Sequence, residues 1–248
     1  MEKTVLITGG ARRIGKSLSE NFAKKGYNVI INYNNSQNKA EKLQVEIIKL
    51  GVKCEIIKAD VSKFDEVRNM FAIIQNFSDK DMIPNILINN AGVFTPQTAF
   101  EDLELKVWED TINTNLSSQY FCSQEFLKLT KYYKLIGSKI VNFASLGGIE
   151  VWKDRTSYNV SKAGVIQLTK SLARDLAPLI SVNCISPGTI EIEDETASEN
   201  LRITTDRIPM GRFGNVDDIF DAVYFLATCS DFITGNNIIV DGGYSLKR

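Results

Sequence analysis

Histidine is missing from all 248 residues of the chain. Its absence excludes histidine-based triads and histidine metal sites, so proton transfer near neutral pH must use other side chains. Cysteine is scarce: Cys54, Cys122, Cys184 and Cys229 lie at wide, unpatterned intervals that fit neither a zinc site nor a disulfide framework, and they are read as buried free thiols. With five prolines and no Pro/Gly/Ser-rich tract there is no linker, which predicts a single domain over residues 1–248. No charge of one sign dominates, since 29 Lys and Arg stand against 30 Asp and Glu. A net charge of −1 leaves no electrostatic footprint for nucleic acid or an anionic membrane surface. Nothing approaches the roughly 18 continuous apolar residues of a membrane span. Met1 runs directly into KTVLITGG without the marks of a secretion signal, and a cytoplasmic protein is expected.

What is present describes an ordinary globular chain, 44% hydrophobic and 24% charged, with 16 glycines. Short apolar runs alternate with segments of helical period. KTVLIT, YNVIINY, VKCEIIKA, PNILINNAG, SKIVNFAS, ISVNCIS and NNIIVDGG read as strands. The helical segments begin RIGKSLSENFAKKG, AEKLQVEIIKLG and FDEVRNMFAIIQNF; a long one follows within residues 105–134, another within 158–177, and VDDIFDAVYFLATC is the last. Strands without polar alternation are buried on both faces. The expected fold is α/β, a single-domain Rossmann-type doubly wound parallel sheet of about seven strands with helices on both faces, its ligand beyond the carboxyl ends of the strands.

TGGARRIG, residues 8–15, follows the first strand and opens the first helix. Backbone N–H groups at a helix N-terminus attract phosphate, and glycines let the backbone come close to it. A glycine cluster alone fits an ordinary strand-to-helix turn as well, and Arg13 stands where a third glycine could be expected. The second strand ends in Asn32, Tyr33, Asn34, Asn35 and Ser36, with no carboxylate before Glu41. A dinucleotide lacking the 2′-phosphate is usually held there by Asp or Glu. Neutral donors, together with Arg12, favour NADP(H) instead. Ser36 is also a candidate N-cap.

Tyr158 and Lys162 are four residues apart and share a helix face, a spacing that by itself fits a solvated helix face as well as a catalytic pair. An ammonium near a phenol hydroxyl stabilises the phenolate, which lowers the tyrosine pKa and suits it to general acid/base work. Ser145 ends the preceding strand, at the ligand edge of the sheet, within reach of the same substrate oxygen.

These residues resemble the short-chain dehydrogenase/reductase family, and the resemblance spans nearly the whole chain. Its motifs occur in family order: TGGARRIG, the AD of Ala59 and Asp60, NNAG at residues 89–92, NTNL with Asn115, NFAS ending at Ser145, YNVSK at residues 158–162, SPGTI and VDGG. The thirteen-residue interval from Ser145 to Tyr158 agrees as well. The resemblance implies that Tyr158 donates the proton and Ser145 positions the substrate oxygen. Lys162 would hold the nicotinamide ribose and depress the tyrosine pKa, and Asn115 would support a water linking Lys162 to a proton relay. It places Gly9, Arg12, Arg13, Ile14 and Gly15 at the pyrophosphate, and Asp60 and Val61 at the adenine. Asn89, Ala91 and Gly92 fall on the adenosine ribose side, and Pro187, Gly188 and Thr189 at the nicotinamide amide. A homo-oligomer, dimer or tetramer, built through packed helix pairs is also implied.

Two substrate classes remain open. IPMGRFG and FITGNNIIVDGG look like 3-oxoacyl carrier-protein reductases, whereas Arg13 in the TGxxxRxG loop and the terminal VDGGYSLKR look like pteridine reductases. Ser145 suits a ketone oxygen better than a pterin ring nitrogen. A silent nucleotide-binding regulator is a third possibility that the four intact residues Asn115, Ser145, Tyr158 and Lys162 oppose. The acidic segment at residues 190–206 occupies the position of the family's substrate-covering loop, and it reads equally as a solvated surface helix.

Overall fold

Successive side chains of a strand face opposite ways, and in β1 (Thr4–Ile7) both faces are buried: Val5 and Ile7 enter one hydrophobic cluster and Leu6 the other. The same division runs through β2 (Asn28–Tyr33), β4 (Ile86–Asn89), β5 (Ser138–Phe143) and β6 (Ile180–Pro187), where Val29, Ile88 and Val141 face one side and Ile30, Leu87 and Ile140 the other. This is why these segments lack polar alternation. With β3 (Cys54–Lys58) and β7 (Asn237–Val240) they form one seven-stranded sheet, in the order β3-β2-β1-β4-β5-β6-β7, every pairing parallel. The structure is a computed structural model that describes residues 3–192 and 204–246.

Helices α1 (Arg13–Lys24), α2 (Gln37–Ile48) and α7 (Val216–Thr228) cover one face through Leu18, Phe22, Leu43, Ile47, Phe220 and Val223. On the other face lie α3 (Phe64–Gln75), α5 (Ser118–Tyr133) and α6 (Thr156–Leu176), contributing Met70, Ile74, Phe126, Leu129, Ala173 and Leu176. Strand order reverses between β1 and β4, and such a switch point opens a crevice at the carboxyl edge of the sheet.

Three expectations are corrected. The edge strands β3 and β7 are only partly buried, because an edge has a neighbour on one side alone. The long helical stretch is interrupted: α4 (Leu105–Ile112) passes into α5 through a π-helical turn at Asn113–Ser117. Cys54, Cys122 and Cys184 are buried free thiols, burial pushing Cys54 up to about 12, whereas Cys229 is half-buried. No described helix is long and apolar enough to cross a membrane.

A buried polar ladder ties the centre of the sheet to α6. The Asn89 amide donates to Asn142 Oδ1 at 2.9 Å, and Asn142 Nδ2 donates to Thr169 Oγ1 at 3.0 Å. Removing one member leaves the others without water to replace it, which costs about 1–3 kcal/mol per stranded group. Asn142→Ala is therefore expected to lower the unfolding free energy by about 2–3 kcal/mol in urea denaturation with an unchanged m-value; a loss below 0.5 kcal/mol would mean that the ladder contributes nothing.

Candidate active site

The carboxyl ends of β1, β2, β4, β5 and β6 surround a cavity of about 750 Å³. Its floor at one end is the first loop. Gly9 has φ +61°, and a Cβ on Gly15 would stand 2.2 Å from the Gly9 carbonyl oxygen and 2.7 Å from Asn90 Nδ2. Only glycine lets α1 start this close to β1. Asn90 clamps the turn by donating to the Thr8 and Gly9 carbonyls at 2.9 and 3.3 Å, and Ala91 N donates to Thr8 Oγ1 at 3.0 Å. Arg13 has φ +53°, in the left-handed region that glycine prefers. The position thus carries a backbone strain that the usual glycine would avoid, on the order of 1–2 kcal/mol. Arg12 and Arg13 are both exposed and line the cavity with Ile14.

At the end of β2 the expected ligands divide. Asn32 is fully buried and its amide is committed inside the protein: Oδ1 accepts from Gly9 N at 3.2 Å and Nδ2 donates to the Ile57 and Ala59 carbonyls. It organises the loop and is not a free donor for a phosphate. Asn34 is exposed and Ser36 half-buried, both lining the cavity with Tyr33. The Ser36 side chain makes no cap bond, a second correction, although its carbonyl accepts from Ala40 N at 2.9 Å. Asp60 lines the cavity beside Val61. Burial pushes the Asp60 carboxyl up, but hydrogen bonds from Ser62 and the Lys63 charge bring it below its ordinary value. Asn89 does not reach the cavity, because its side chain joins the buried ladder on the other side of the strand end; Asn90 takes its place in the lining with Ala91 and Gly92. Pro187, Gly188 and Thr189 line the cavity from the end of β6.

The candidates Ser145, Tyr158 and Lys162 come together where β5 meets α6. Beyond Phe143 the chain continues through Ser145, whose hydroxyl accepts from Gly147 N at 3.2 Å. A Cβ on Gly148 would lie 2.6 Å from the Lys162 backbone, so glycine there lets this turn rest directly on α6. Ser145 is thereby placed where its hydroxyl lowers the Tyr158 pKa. Lys162 is buried and its Nζ donates to the Phe143 carbonyl at 2.9 Å. Gly92 packs close to the same group: a Cβ there would lie 3.2 Å from Asn115 Oδ1, a tight contact, and 3.5 Å from Lys162 Nζ, an ordinary one.

Asn115 sits in the π-helical turn. Its amide bridges Val93, accepting from N at 2.7 Å and donating to O at 3.0 Å, and also donates to Ser161 Oγ at 3.1 Å. Gln119, one turn on, donates to the Asn115 and Phe143 carbonyls at 2.8 and 3.0 Å. Sequence reasoning missed Gln119 and Ser161, although i+4 spacing from Asn115 and adjacency to Lys162 were the available signals. It also missed the aromatic wall. Phe94 meets Tyr158 edge-on at 4.8 Å between ring centroids, and Trp152 lies parallel to Tyr158 at 6.0 Å.

Electrostatics differ from expectation here. Burial raises the Tyr158 pKa; hydrogen bonding with Ser145 and the charges of Arg155 and Arg13 pull it partly back. Lys162 is not among these influences, and burial brings its own pKa down to about 8. Burial of both partners outweighs the simple ammonium-to-phenol attraction that their spacing suggests.

A protein-family model described as enoyl-(acyl carrier protein) reductase matches residues 9–245. The 3-oxoacyl-acyl-carrier-protein reductase FabG of Staphylococcus epidermidis is 37% identical over 248 residues, covering 98% of this chain and 99% of its own. The protein of the same name from Aquifex aeolicus is 35% identical over 247 residues, covering 97% and 96%. Among solved structures, a short-chain dehydrogenase/reductase from Serratia marcescens superposes with a TM-score of 0.87 at 29% identity, covering 98% of each chain. An NADPH-dependent 3-quinuclidinone reductase from Rhodotorula rubra gives 0.85 at 29%, covering 98% and 91%.

Two outcomes follow from the electrostatics and the strain. Lys162 releases its proton near 8 when folded but near 10.4 when unfolded, so between these values the unfolded chain holds the extra proton and stability rises with pH. Lys162→Met is expected to remove that rise in denaturation series between pH 8 and 10; an identical slope in the variant would refute the assignment. Arg13→Gly relieves the left-handed strain, offset by about 0.5–1 kcal/mol from a freer unfolded chain. It should leave stability unchanged or up to about 1 kcal/mol higher while moving the alkaline limb of the pH–rate profile upward, since Tyr158 loses a cation. A marked loss of stability would show that its side-chain contacts outweigh the strain.

Proposed function

The chain belongs to the short-chain dehydrogenase/reductase family and is an oxidoreductase of that type, and from this premise we propose that it reduces a small carbonyl compound with NADPH. The observation that carries the reading is the convergence of Ser145, Tyr158 and Lys162, with Asn115 buried behind Gly92 and Val93, at a cavity that also reaches a glycine-built helix start. A volume of about 750 Å³ lies in the range of ligand pockets, and its elongated lining suits a dinucleotide with a small substrate.

The cofactor supplies the hydride. Gly9 and Gly15 hold the loop open for a pyrophosphate at the start of α1, with Arg12 and Arg13 at its edge. Arg12, Asn34 and Ser36 line the cavity at the end of β2, where the described residues place no carboxylate to repel a 2′-phosphate, which supports NADP(H) over NAD(H), as does the NADPH dependence of the quinuclidinone reductase. Pro187, Gly188 and Thr189 border the nicotinamide end. At the reacting centre the carbonyl carbon gains hydride as the C=O π pair moves to oxygen, and that oxygen takes the Tyr158 proton while Ser145 hydrogen-bonds it. Burial suits Tyr158 to this direction, because a phenol with a raised pKa stays protonated at neutral pH. The charges of Arg13 and Arg155 then stabilise the phenolate left behind.

A pterin substrate is the second reading, favoured by the position of Arg13 in the lining and by the reach of its charge to Tyr158. The serine at position 145 and the 3-oxoacyl reductases among the relatives favour the ketone. A dimer or tetramer belongs to the same proposal.

NADPH and NADH oxidation measured side by side with an acetoacetyl thioester and with dihydrobiopterin tests it. The expected result is turnover of the ketone with NADPH at least tenfold preferred, and loss of about 10²–10⁴ in kcat for Tyr158→Phe with NADPH affinity retained. Undiminished turnover by Tyr158→Phe would sink the assignment of the acid.

A further inference from the structure

We propose that Arg155 is an anion-recognition residue of the substrate end of the cavity, and that the ketone reduced there carries a carboxylate. The proposal rests on the carbonyl-reductase reading and names the substrate class of that site. Arg155 lies three residues before Tyr158, at the N-terminal boundary of α6, and only 7% of it is exposed. Its Nη1 is buried without a hydrogen-bond partner among the described residues, although the side chain lines the cavity. A guanidinium cannot shed its charge at any ordinary pH. Burying an unpaired cation is among the costliest arrangements a protein can hold, and it points to a partner that arrives with a ligand.

The surroundings define that ligand. The Arg155 guanidinium carbon sits 4.1 Å from the centre of the Phe94 ring, and the same ring packs against Tyr158. One face of the guanidinium is thus occupied by an aromatic surface. Its edge, where the N–H groups of a planar fork point, is what remains for an acceptor. Phe94 and Trp152 close the wall around Tyr158, so an acceptor reaching Arg155 belongs to the molecule whose oxygen Tyr158 protonates. Among the described lining residues the cations are Arg12, Arg13, Lys153, Arg155 and Lys162, and the one carboxylate is Asp60. Asp60 follows β3, at the end of the cavity assigned to adenine, with its Oδ1 already accepting from Ser62 N and Oγ. No described acidic side chain of the lining therefore neutralises Arg155. A carboxylate matches the guanidinium fork with two parallel hydrogen bonds, which a single ester or thioester carbonyl cannot supply. The class indicated is a short oxo acid, its carboxylate a few bonds from the ketone.

The test compares 2-oxobutanoate, 3-oxobutanoate and 4-oxopentanoate with their own methyl esters and with an acetoacetyl thioester in NADPH oxidation. For wild type, kcat/KM of at least one acid is expected to exceed that of its ester tenfold or more. Arg155→Gln should lower that acid-to-ester ratio at least a hundredfold, chiefly through KM of the acid, and Arg155→Lys should restore part of it. Preference for the esters or the thioester in wild type would overturn the anion proposal while leaving the carbonyl reductase standing. So would equal losses on acid and ester in Arg155→Gln, which would assign Arg155 a packing role. No NADPH oxidation with any of these ketones would overturn both. The wild-type ratio decides the matter even where a variant does not fold.

Discussion

The backbone of Phe143, at the last position of β5, receives hydrogen bonds from two buried side chains: Lys162 Nζ at 2.9 Å and Gln119 Nε2 at 3.0 Å. Gln119 also accepts from Phe143 N. Through this one peptide position the end of a central strand is fastened to α6 and to α5, and everything chemical is placed relative to it. Ser145 follows two residues later, Tyr158 precedes Lys162 by one turn, and Asn115 precedes Gln119 by one turn. Leaving a buried polar group unpaired is costly, so the constraint is strong: a shift of any of these elements would strand an ammonium or an amide away from water.

Close approach of backbones supplies the second constraint. Gly15 against the Gly9 carbonyl and Gly148 against the Lys162 backbone are contacts in which a single methyl group would collide, and Gly92 leaves only tight room beside Asn115. They bring β1, β4 and β5 loops within one cavity. The π-helical turn at Asn113–Ser117 does the same work for α4 and α5: it re-aims Asn115 so that both its amide atoms engage Val93. Such turns are rare in helices and frequent at functional sites.

Charge is distributed accordingly. The described lining is rich in cations and nearly free of carboxylates, while the chain as a whole is almost neutral. That contrast is an organised field, suited to a ligand with negative groups along its length. Burial holds the Tyr158 phenol protonated beside the apolar wall of Phe94 and Trp152, with Ser145 and the charges of Arg155 and Arg13 limiting how far its pKa rises. Arg13 thus has two effects of opposite sign, a strained φ of +53° and a cation placed where its charge lowers the Tyr158 pKa.

Period and spacing in the sequence determined the parallel sheet, its strand and helix segments, the glycine loop and the candidates Ser145, Tyr158 and Lys162, because these depend on local residue order, whereas Asn115 was marked by the family resemblance of its NTNL motif. The two-faced burial of β1, β2 and β4–β6 is written in their unbroken apolar runs. Tertiary structure alone decided which polar groups face the cavity. Asn32 and Asn89 look like ligands in the chain yet spend their amides inside the protein, since the neighbouring strands bring carbonyls and Asn142 within reach. Arg155 is buried, and it is Phe94, distant in sequence, that covers its guanidinium. Pairing and desolvation depend on what other segments deliver to the same point, and no local pattern carries that information.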